Sequence, residues 1–123
     1  MNRLLYWFAV VIALATVASG AVQMFRPGFV LAMVGGESGP TSSHFFGIIG
    51  MFMVLFGGLL FQGLLSGSPP ALFWAGVQKL GAAVAVGLGI LNGLFAPLAW
   101  AVAGFDLVSG LVVGWLWYES LHD

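Results

Sequence analysis

Lys79 and Asp106 carry the reactive chemistry of this chain, because each interrupts a long apolar run near its middle. An ionisable side chain at mid-membrane depth costs about 2.5–3.5 kcal/mol on insertion scales and is tolerated where it faces protein or water. A cation and an anion placed this way support three roles. They could clamp two helices, titrate during proton or ion movement, or meet a polar group of a partner subunit or lipid. Three further side chains are candidate polar or ligand contacts. Gln78 and Asn92, with Trp74, would suit a quinone or lipid site, and His44 stands at the mouth of the second apolar run.

The spacing excludes more than it selects. His44 and His122 belong to opposite ends of membrane-length runs, so two-histidine haem ligation within one subunit fails. His44 alone remains as an axial ligand for haem or chlorophyll, against its commoner use at a helix start. Glu37, Asp106, Glu119 and Asp123 fall at different depths and lack the Glu-x-x-His pairs of a carboxylate-bridged dimetal site. Gly36–Pro40 has a proline where a nucleophile elbow ends in glycine. With no cysteine, disulfides, thiol redox chemistry, cysteine-ligated iron–sulfur clusters and covalent haem all drop out. No metal, no cofactor and no enzymatic constellation is expected.

Composition says what surrounds these residues. The chain is 61% hydrophobic and 6% charged, with a mean hydropathy of +1.10. A soluble domain carries about a quarter charged residues, so lipid must be the solvent for most of this surface. A net charge of −1 without a basic run argues against nucleic acid and against a polybasic lipid-binding patch. One transmembrane domain over residues 1–123 is expected, with the lipid bilayer as its first partner.

Four apolar runs must hold the pair: 4–25, 45–65, 71–91 and 97–118. Each approaches the ~20 residues that cross a 30 Å hydrocarbon core as a helix. The first is longer than a signal-peptide core of about 7–15 residues and reads as a membrane helix. Backbone groups in lipid must be satisfied internally, which favours helices. Arg26-Pro27-Gly28 breaks the first helix, and residues 27–34 are too few to span, so they form a short interfacial helix. Ser42 or Ser43 is the expected cap of the second span. The prolines of Ser66–Pro70 end one span and start the next, and Asn92-Gly93 with Pro97 makes the last turn. The fold class is therefore an all-α integral membrane four-helix bundle. Four spans leave both termini on one side, and Arg3 with the α-amine gives a slight preference for a cytoplasmic location.

Nineteen glycines imply close helix contacts. Gly47, Gly50, Gly57 and Gly58 are expected on one stripe of the second span. Gly76, Ala83 and Gly87 share the Lys79 face, and Ala99, Ala103, Gly110 and Gly114 flank Asp106. Both charges thus point at neighbours. Counted from opposite ends of an antiparallel hairpin, Lys79 lies roughly 12 Å deep and Asp106 roughly 13–14 Å. The remaining mismatch is within reach of a lysine stem, so the two are expected to pair. Thr16, Gln23, Gln62 and Gln78 are expected to bond to neighbouring helices. Tyr6, Trp7, Trp115, Trp117 and Tyr118 form an aromatic belt on the terminal side.

The order of features resembles the DoxX-like group of small four-helix bacterial membrane proteins. It comprises a first span ending at Arg26-Pro27, an apolar stretch, Gly47 and Gly50 opening the second span, Lys79 then Gly81 in the third, and Asp106 in the fourth. The resemblance implies a four-helix bundle of the bacterial inner membrane and, in some members, service as a subunit beside redox enzymes at the quinone pool. It transfers no catalytic residue. The expected function is an accessory or scaffolding subunit of a larger membrane complex, partnered by other subunits or by itself. The alternative is a small proton- or ion-coupled transporter or channel working as an oligomer.

Overall fold

A computed structural model describes residues 1–122; Asp123, one of the four carboxylates weighed above, lies outside them. Five helices follow in order: α1 (Arg3–Phe25), α2 (Pro27–Met33), α3 (Pro40–Ser66), α4 (Pro69–Leu91) and α5 (Ala99–His122). Among the described residues, α1, α3, α4 and α5 are long and apolar enough to cross a bilayer. The protein is an all-α integral membrane four-helix bundle, with the short α2 between its first two spans.

Local chemistry sets the helix ends. The Asn2 side chain accepts from the Leu5 amide at 3.1 Å and starts α1, and Pro27 ends that helix by disfavouring helical backbone at Arg26. The second span begins earlier than its apolar run, at Pro40. A proline in the first turn loses no hydrogen bond. The expected serine cap is corrected accordingly: Ser42 lies inside the first turn, where its hydroxyl oxygen accepts from the Gly39 amide at 3.0 Å. At the other end Gly67 adopts φ 64°, closing α3 before Pro69 opens α4.

The four spans form a ring in the order α1, α3, α4, α5. Helix α1 packs along α3 and α4 along α5, while α3–α4 and α1–α5 meet less extensively. Two tight pairs thus make the bundle, and α1 lies diagonally across from α4. Glycine makes the first pair tight. A methyl group added to Gly20 would sit 2.7 Å from the Gly50 carbonyl oxygen, and one on Gly50 would sit 2.7 Å from that of Gly20. Gly58 departs from the expected stripe. At 100° per residue it turns away from the face shared by Gly50 and Gly57, and it is exposed.

The pairs are fastened at both ends. Near the termini, Ile12, Leu60, Leu72, Val113 and Leu116 are almost fully buried against one another. Trp117 packs at a tilt against Phe73 and Trp115 stacks on Tyr118 at that end, and the Asn2 amide donates to the Glu119 carboxylate at 2.7 Å. At the opposite end the chain after α2 reaches across to the α4–α5 turn, where the Ala96 amide donates to the Val34 carbonyl at 2.8 Å. Gly35, at φ +73°, passes so close to Ala96 that no side chain would fit.

Candidate functional site

Between these two fastenings the pairs separate. On α5, Val102, Phe105, Ser109 and Leu116 share one face. Ser109 and Leu116 are buried, whereas Val102 and Phe105 are 42% and 44% exposed. The matching side of α1 behaves alike: Ile12 is buried, Ser19 and Val22 are exposed. The result is a cavity of about 600 Å³ lined by both pairs, by α2 and by Phe95. Its exposed lining residues include Ser19 and Val22 on α1, Ile49 on α3, and Val102 and Phe105 on α5. Its walls are mostly apolar, with Ser19 and Gln23 along α1, and Thr16, Gln78, Lys79 and Asp106 where the separation begins.

Lys79 and Asp106 are at that place. Lys79 Nζ lies 3.5 Å from Asp106 Oδ1, with the two side chains 5% and 13% exposed. The shorter contact of the ammonium runs elsewhere: Nζ donates to Thr16 Oγ1 at 2.5 Å. Thr16 can accept because its own hydroxyl proton is given to the Ile12 carbonyl one turn back, at 2.8 Å. The Phe105 ring centroid stands 5.2 Å from Nζ and adds a cation–π contact. One lysine on α4 therefore ties to α5 and, diagonally, to α1. A charged group at this depth needs such partners, since an unpaired one would carry its full desolvation cost.

The remaining candidates scatter. Gln78 is half-buried and lines the cavity beside Lys79, making no hydrogen bond to another described residue. Its expected bond to a neighbouring helix is not formed, because the helices part there. Gln62 likewise makes none: it faces outward on α3 and contributes only its carbonyl, to Ser66. Gln23 does reach α3, donating to the Phe46 carbonyl at 3.0 Å. Asn92 is exposed in the turn after α4 and away from the cavity. His44 is exposed in the first turns of α3, on a separate pocket of about 270 Å³ that it shares with Met24 and Met51. No group of three or more histidine, aspartate or glutamate side chains converges among the described residues.

Sequence reasoning placed Thr16 among the helix-bonding residues without assigning its partner. It gave no role to Ser19, Val102 or Phe105. A periodic signal existed on α5, where an apolar stripe carries Phe105 and Val102 in line with buried positions. Nothing in that stripe says where the neighbouring helix departs. Comparison with protein-family models, curated proteins and solved structures gives no match.

Proposed function

We propose that this small polytopic membrane protein is an accessory or scaffolding subunit of a larger membrane complex. In keeping with its DoxX-like resemblance, we place it in the bacterial inner membrane, and from Arg3 and the α-amine we take its termini as cytoplasmic. The observation that carries the reading is on the outer face of α4. Gly81 and Ala85, one helical turn apart, are both exposed, and a methyl group on Gly81 would meet no atom of the chain within 4 Å. A mid-helix glycine costs about 1 kcal/mol relative to alanine. Lipid tails give no return for it, whereas a helix from another protomer or subunit can approach closely across a small-x-x-x-small pair. Extraction in mild detergent followed by mass spectrometry tests this. A partner at fixed stoichiometry should co-purify with the native chain and be lost with Gly81→Leu. A chain that emerges alone and monomeric in both cases refutes the reading.

A second reading rests on the other conspicuous feature, the cation and anion bordering a cavity. It is a small proton- or ion-coupled transporter or channel working as an oligomer. The packed core on the terminal side closes the single bundle, so a path would need a second copy or a movement of the two pairs. Pure protein in liposomes should then mediate uptake that Asp106→Asn abolishes.

A further inference from the structure

We propose that the cavity between the two helix pairs binds a neutral lipid whose polar end is a single hydroxyl group. The inference stands apart from the subunit reading and starts from unmatched hydrogen-bonding capacity. A lysine ammonium has three N–H donors, and Lys79 finds two acceptors among the described residues, Thr16 and Asp106. A carboxylate has two oxygens, and Asp106 uses only Oδ1. One donor and one acceptor are thus left over on two residues that line the cavity. The half-buried Gln78 amide next to them has both functions to spare.

This combination selects among ligand classes. An ionised carboxylic acid or an ammonium head would leave a net charge on the otherwise neutral Lys79–Asp106 pair in the membrane interior. An ether or ketone accepts from Lys79 but leaves the Asp106 oxygen unmatched. A hydroxyl group accepts from one and donates to the other without adding charge at mid-depth, where charge is most costly. The body of the ligand follows from the walls. Val22, Val86, Phe95 and Val102 present apolar surface, and about 600 Å³ falls within the ~300–1,000 Å³ of small-molecule sites. The exposed rim residues Val22, Val102 and Phe105 sit on the membrane-spanning α1 and α5, so the entrant must come from the bilayer. An apolar alcohol meets all three conditions.

The test uses full-length protein in lipid nanodiscs and a long-chain primary alcohol carrying a photoactivatable diazirine in its chain. Peptide mass spectrometry should find saturable labelling at the cavity mouth, at Val22, Val102 or Phe105. Unlabelled alcohol should compete roughly tenfold better than its methyl ether, the value of about one hydrogen bond, and better than the matching carboxylic acid. Val102→Trp, which fills the mouth and keeps both Lys79 and Asp106, should cut labelling several-fold. Ala82→Phe, on the α4 wall, repeats the measurement if the first variant does not fold. Equal competition by ether and alcohol, stronger competition by the acid, or labelling spread unsaturably over the outer faces would each overturn the proposal.

Discussion

Lys79 owes its position to two side chains on two different helices, and this division decides what mutation should do. Replacing Asp106 by leucine strands a cation that keeps only Thr16 and the Phe105 ring, and replacing Lys79 by methionine strands an anion with no other donor among the described residues. Breaking a buried pair from one side costs about 3–5 kcal/mol, whereas apolar replacement of both partners is often close to neutral. Lys79→Met/Asp106→Leu should therefore unfold at higher denaturant than either single variant, with clear non-additivity in a double-mutant cycle in micelles. Strict additivity would mean that the 3.5 Å approach carries no energy. The approach itself was legible in the sequence, because depth along an antiparallel hairpin follows from residue counts. The tie to Thr16 was not. It crosses the bundle diagonally, and linear spacing says nothing about which helices stand opposite one another.

Helices α1 and α3 make a tighter unit than their composition alone requires, and the reason is local. Gly20 and Gly50 bring the two backbones to where a methyl group would meet a carbonyl oxygen at 2.7 Å. Gly50→Ala should push the pair apart and destabilise by about 1–3 kcal/mol, as overpacking does. Gly58→Ala, on the same helix but facing outward with nothing within 4 Å, should be neutral or slightly stabilising. Thermal unfolding of the two variants side by side checks this, and equal gains would argue that helix propensity rather than contact governs both. The existence and number of the spans could be read from unbroken apolar runs near 20 residues long. Their ends were less legible: α3 starts within a polar segment, at Pro40, because a first-turn proline and the Ser42 hydroxyl satisfy backbone needs that hydropathy does not register.

Two helix pairs joined at both ends and parted between them give the bundle an asymmetric interior, packed on the terminal side and hollow toward α2. That asymmetry was hidden in the sequence, since the apolar residues of both halves look alike and only their partners differ. The sidedness can be examined directly because the chain has no cysteine of its own. Ser38→Cys, in the loop after α2, and Ser120→Cys, near the end of α5, should react with a membrane-impermeant maleimide from opposite faces. With cytoplasmic termini, intact cells label the first variant only. The reverse pattern would invert the proposed orientation, and labelling of both from one face would contradict four crossings. The diagonal lysine tie has a further consequence, in time rather than space. Synthesis runs from the N-terminus, so Thr16 is already in the bilayer when α4 arrives, while Asp106 is still inside the ribosome. The hydroxyl is thus the lysine's earliest host and the carboxylate its later companion. Thr16→Val should impair insertion of a nascent chain halted before α5 more than insertion of the finished one, as read by glycosylation tags. Equal effects on both would show that the order of arrival does not matter.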